Sequence, residues 1–110
     1  MDTKYGIADD EHIRELRLAY LMEVGSMLSV LIGGRIQWME LACKLGLSNG
    51  DIQRIEAMVA SNYGYEVLRL WSLRDGSTIR VLITTLMEMS RDDVLQKLKE
   101  FQRSKSESVQ

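Results

Sequence analysis

Between Trp38 and Glu56 the chain reads Trp-Met-Glu-Leu-Ala-Cys-Lys-Leu-Gly-Leu-Ser-Asn-Gly-Asp-Ile-Gln-Arg-Ile-Glu, and this stretch limits the fold more than any other. Trp38, Leu41, Ala42 and Leu45 recur at the spacing that puts them on one face of a helix. Gly46 is the natural stop of that helix, because glycine readily takes the left-handed conformation that closes a helical end. Ser48 can cap the next helix, with Asp51 as its acidic companion near the positive end. Ile52, Ile55 and Val59 form the expected buried side of that second helix. Two helices this short are not stable alone, so the rest of the chain must complete their core.

The remaining segments carry the same periodicity. An apolar stripe of Ile13, Leu16, Tyr20, Val24, Met27, Leu28 and Leu31 predicts helix from about Asp10, with a break or bend at Gly25-Ser26 and an end at Gly33-Gly34. Whether residues 10–22 form a helix of their own is left open by the pattern. A fourth helix is expected from Tyr63 to Leu73, with Val67, Leu70 and Trp71 inward, followed by a turn at Asp75-Gly76. Ser77 is the expected cap of a fifth helix containing Ile79, Leu82, Ile83 and Leu86. Ser90 with Asp93 is the expected cap of a sixth, which carries Val94, Leu95, Leu98 and Phe101. The absence of proline suits this all-α organisation. It divides the chain into a flexible N-terminus at 1–9, one domain at 10–101 and a disordered polar tail at 102–110.

The composition narrows the function. The formal net charge is −2, without the basic surplus that a free-standing nucleic-acid binder uses against phosphate. A single cysteine, Cys43, cannot form an internal disulfide and fits a reducing, cytoplasmic setting. No long apolar run or basic-then-apolar leader is present, so no membrane insertion is expected. Nor is an enzyme expected. His12 reads as a surface residue, and Cys43 as an inert small side chain beside the core. No cysteine–histidine cluster has metal-ligand spacing, and Gly33-Gly34 lacks the lysine and hydroxyl of a phosphate loop. No metal or cofactor is expected. Trp38 and Trp71 read as packing residues, and the methionines as gap fillers, with Met39 and Met58 partly exposed.

Two functions can be written in the Trp38–Glu56 stretch. Ala42, Gly46, Ser48, Ile52 and Ile55-Glu56 match the spacing of helix-turn-helix repressors, which would make Ser48–Met58 the recognition helix of a DNA-binding transcriptional regulator. Any close-packed helix pair needs that same spacing, however. Asp51 and Glu56 on the would-be reading surface would repel phosphate, and no Lys/Arg cluster flanks it.

The second reading comes from a wider pattern. Trp38, Leu41, Ala42, Leu45, Gly46, Leu47, Ser48, Ile52, Ile55 and Glu56 are followed by Leu68, Trp71, Gly76, Leu82 and Leu86, and then by Arg91-Asp92-Asp93-Val94-Leu95. In order and spacing, over residues 20–101, these resemble the death domain. Leu68-Arg69-Leu70-Trp71 and Asp92-Asp93-Val94-Leu95 look nearest to the Toll/interleukin-1 pathway adaptor type. The resemblance implies a six-helix antiparallel bundle of Greek-key topology and a core of Trp38, Leu41, Ala42, Leu45, Ile52, Ile55, Leu68, Trp71, Leu82, Leu86 and Leu95. It implies a non-enzymatic module that assembles with other death domains, its own copies included, into oligomers of apoptotic or innate-immune signalling. It also implies three docking patches: Asp51, Arg54 and Glu56 on the third helix; Arg69, Arg74 and Asp75 at the corner of helices four and five; and Arg91, Asp92 and Asp93 at the corner of helices five and six. Each patch mixes signs, as docking between unlike surfaces requires.

Overall fold

The stripe that begins near Asp10 does not fold as one helix. In the computed structural model, which describes residues 6–108 and the side chains of residues 6–103, it gives a single 3-10 turn at Ile13–Glu15 and then α1, Leu18–Met27. The physical reason is competition for backbone bonds. Ile13 N–H donates to the Ser77 carbonyl (2.8 Å), while Ile79 and Arg80 N–H donate to the carbonyls of Glu11 (2.9 Å) and Asp9 (2.7 Å). Residues 9–13 therefore form a strap that satisfies the first donors of the helix starting at Ile79, which have no partner within their own helix.

The expected break at Gly25-Ser26 is absent; α1 runs through it. Gly25 instead marks where α4, Tyr63–Trp71, crosses α1 against Gly64. A Cβ on either glycine would fall inside the backbone of the other helix. Ser29 and Asn62 fasten the crossing. Ser29 Oγ accepts from Gly64 N–H (2.8 Å), and its hydroxyl lies 2.7 Å from the Gly25 carbonyl it donates to. Asn62 caps α4 by accepting from Tyr65 N–H (3.0 Å), and its amide donates to the Met22 carbonyl (2.8 Å).

Gly33 and Gly34 do take positive φ, as expected, but they close a hairpin rather than a helix. Strands β1, Leu31–Ile32, and β2, Arg35–Ile36, pair antiparallel with Leu31 opposite Ile36. Two successive residues of positive φ are what the tightest hairpin turn needs.

Helices α2, Gln37–Lys44, and α3, Asn49–Ala57, follow the expected pattern closely. Gly46 has φ +85, with the Gly46 and Leu47 N–H groups bonded back to Cys43 and Ala42, and Ser48 caps α3 through Asp51 N–H (3.1 Å). Val59, however, lies beyond α3 and is fully exposed.

Helix α5 is Ile79–Glu88, and its cap is Thr78, not Ser77. Ser77 is buried, donating to the Trp71 carbonyl (2.5 Å). Ser90 likewise does not cap α6, Asp92–Ser108. It sits at φ 57, closing α5, with Ser90 N–H bonded to Met87 and Arg91 N–H to Leu86.

Among the described residues the architecture is all-α: six helices, with α1 packed on α4 and α6, α2 and α3 on α4, and α5 on α6. Trp38, Leu41, Ala42, Leu45, Ile55, Leu68, Trp71, Leu82 and Leu86 are buried as expected, while Ile52 and Leu95 are half-buried. Trp38 stacks on Tyr63, and Tyr20 on Phe101.

Both expected boundaries need correction. Ile7 is buried, and α6 continues through Ser108 instead of giving way to a disordered tail at 102. Gln102 is itself buried, with its amide donating to the Ile7 carbonyl and to Asp9 (2.8 Å each). Residues 1–5 and 109–110 of the expected flexible ends lie outside the described residues.

Two substitutions test this account in denaturant. Gly64→Ala should lower the unfolding free energy by at least about 2 kcal/mol, because its methyl meets backbone that cannot rotate away. Ser90→Gly should raise it by about 0.5–1 kcal/mol, by relieving a left-handed non-glycine residue at some cost in chain entropy.

Candidate interaction surface

On α3, Arg54 stands in solvent with a long ion pair to Asp51 (3.6 Å), and Glu56 is exposed on the same helix. So long a pair, with its Arg54 side in water, adds little stability, so the Arg54 charge remains available to another molecule.

At the corner between α4 and α5, Arg69 is held along its own helix by Glu66 (3.1 Å). Arg74 and Asp75 are exposed. Arg74 Nη1 reaches toward the Leu45 carbonyl (3.5 Å), bringing this corner up to the turn that leads into α3.

His12 supports the corner from behind. Its Nε2 bonds to the Arg74 carbonyl (2.7 Å), and Nδ1 accepts from Arg14 N–H (3.1 Å). The two bonds together require the Nε2–H tautomer. His12 is thus a half-buried brace, not the free surface residue expected.

The third patch is divided. Asp92 and Asp93 are exposed at the start of α6, but Arg91 is buried and cannot dock as expected. Its guanidinium grips Asp93 with two bonds of 3.0 Å, donates to Gln37 Oε1 (3.1 Å) and donates to the Met27 carbonyl (3.0 Å). One side chain thereby joins the end of α1, the start of α2 and the start of α6. Hydrogen bonding from Arg91 holds the Asp93 carboxyl below its ordinary value of 3.8, outweighing the opposing desolvation, with lesser help from the Val94 backbone and the Arg91 charge.

The sequence pattern missed an apolar knuckle. Val30, Leu31, Ile32 and Ile36 are all substantially exposed on and beside the hairpin. An aliphatic run interrupted by Gly-Gly is a hairpin signal, and could have been recognised as one. Behind it lies an open groove lined by Gly34, Arg35, Ile36, Met39, Glu40, Cys43 and Lys44. Cys43 is therefore exposed on the outer side of α2 and not tucked beside the core.

Among the described residues, no group of three His, Cys, Asp or Glu side chains could hold a metal ion. None of the described helices is long and apolar enough to cross a membrane.

Residues 34–102 match the death-domain family model, more than half of the chain, and the protein belongs to the death-domain family. Members of this family are non-enzymatic protein-interaction modules that bind other death-fold proteins in signalling. No curated protein and no solved structure matches the chain.

The Arg91–Asp93 grip has a pH signature. A carboxylate whose folded value is lowered stabilises the fold above its ordinary value, and that contribution is lost as pH falls through the lowered one. Denaturation midpoints should therefore decline on acidification below about pH 4, and Asp93→Asn should flatten that part of the decline.

Proposed function

We propose that this chain is a cytoplasmic signalling adaptor domain that assembles with other death domains, its own copies included, into oligomers of the apoptotic or innate-immune type. The observation that carries this reading is the placement of charges of both signs, exposed but for the half-buried Asp51, on different elements of one bundle. Arg54, Asp51 and Glu56 lie on α3; Arg74 and Asp75 stand at the α4–α5 corner, with Arg69 on α4; and Asp92 and Asp93 start α6. A cationic face on one subunit can meet the acidic α6 corner of the next. Because the two faces differ, such contacts propagate instead of closing as a two-fold dimer. Arg91 is left out of the docking set, since it is spent on the interior.

The DNA-reading alternative, with Ser48–Met58 as recognition helix, has little physical support. That surface carries the carboxylates of Asp51 and Glu56 beside the single cation Arg54. Phosphate contact would have to overcome both carboxylates.

Charge reversal at Arg54 or Arg74 should abolish association while leaving helicity and Tm nearly unchanged. Light scattering across concentration, with circular dichroism on the same samples, reads both quantities. Unchanged association in both variants overturns the patch assignment. Retention of duplex DNA in a low-salt gel shift, with steep salt dependence, overturns the choice of partner.

A further inference from the structure

Arg91 and Asp93 form an ion pair whose two halves differ sharply in access to solvent. The Arg91 side chain is 8% exposed and the Asp93 side chain 58%. A cation from outside can reach the carboxylate, whereas the guanidinium cannot follow it outward without leaving its other partners. Those partners are the Met27 carbonyl, at the last residue of α1, and Gln37 Oε1, at the first residue of α2. Everything between them, residues 28–36, is the segment that carries the hairpin and its exposed Val30, Leu31, Ile32 and Ile36.

The rest of that segment is unevenly anchored. Leu28 is fully buried and Ser29 belongs to the α1–α4 crossing, so its start is fixed. Beyond Ser29 the hairpin is held by its own short ladder, by Gln37 N–H on the Val30 carbonyl (3.2 Å), and by a pair of the exposed Arg35 with the half-buried Glu40 (3.6 Å). A two-stranded ribbon of this size is marginal without support from its base. Arg91 adds to that support where the hairpin returns to the bundle, through its bond to Gln37 Oε1.

We propose that Asp93 is the catch of this hairpin. When a docking subunit's guanidinium or ammonium draws the Asp93 carboxylate away, Arg91 becomes a buried cation without its counter-ion, which a protein interior strongly disfavours. The guanidinium then turns toward solvent and lets go of Gln37 and the Met27 carbonyl. The base of the hairpin opens, and the apolar residues Val30–Ile36 become free to rearrange against a further subunit. Occupation of the acidic α6 corner thereby primes a second surface on the same molecule. The docking half of this sequence of events rests on the function proposed above; the catch itself is a property of the isolated chain.

Hydrogen exchange on the full chain, at a concentration where it is monomeric, tests the catch without any partner. In Asp93→Asn the amides of residues 31–36 should exchange about ten-fold faster than in the wild type, a clearly larger factor than the modest acceleration that the lost ion pair brings to α3 and α4. Asp93→Glu, which keeps the charge, should stay within about three-fold of the wild type. Hairpin rates in Asp93→Asn that match the wild type overturn the catch. So does equal acceleration throughout the domain, or failure of that variant to fold, since either makes the ion pair a global strut. A loosened hairpin in Asp93→Asn, together with loss of the predicted effect of Arg54 and Arg74 reversal on association, would leave the catch standing and overturn only the docking scheme.

Discussion

The contact of Gly25 with Gly64 is the constraint on which the rest of this bundle depends. Two helices that carry side chains at their crossing stand about 8–10 Å apart. Removing both Cβ atoms lets the backbones of α1 and α4 touch, and the Ser29 hydroxyl then falls within reach of both. That approach fixes α4, and α2 and α3 are both packed on α4. Glycine inside a helix costs about 1 kcal/mol relative to alanine, a small sum against the burial that follows from the crossing. The same closeness explains why the polar groups of Ser29 and Asn62 are satisfied in a part-buried site, where an unpaired group would cost more than the bond returns.

Backbone donors tell a consistent story at the helix ends. The start of α5 is satisfied by Thr78 and by the strap from Asp9 to Ile13, and the start of α4 by Asn62 and Ser29. Neither strap nor crossing is local in sequence. The family match begins at residue 34, yet α1 and the strap preceding it close the same core, with Ile7, Ile13 and Leu16 buried in it. Arg54, exposed and bonded only within α3, has no such duty, which is how it differs from the buried Arg91.

How much of this was legible beforehand depends on how local the cause is. The Gly46 stop, the Ser48 cap and the inward faces of α2 and α4 follow from neighbours within a helical turn, and they were read correctly. Ser77 and Ser90 both read as caps from their neighbours, and both do something else. A serine before a helix is equally suited to capping, to a buried bond such as that to Trp71, or to a tight left-handed turn. Val59 kept the apolar rhythm of α3, but the chain leaves the helix before it, so periodicity carried past the real end. At the candidate surface, the exposed Arg54, Arg74, Asp92 and Asp93 were identified as charged positions on the right elements, while the burial of Arg91 was hidden. Its partners Met27 and Gln37 lie far away in the chain, and neither marks itself as a ligand for a guanidinium.

Periodicity and the Gly46–Ser48 turn were sufficient to predict six helices and their order, and the resemblance of the pattern from Trp38 to Leu95 pointed to the family that the model match shows. They act through contacts a few residues long, so a linear reading captures them. The close crossing at Gly25 and Gly64, the strap that turns the first stripe into a 3-10 turn, and the division of the acidic corner into an exposed Asp93 and a buried Arg91 depend on groups brought together by the whole bundle. Burial and hydrogen-bond competition between distant segments settle these features, and neither exists until the chain has folded.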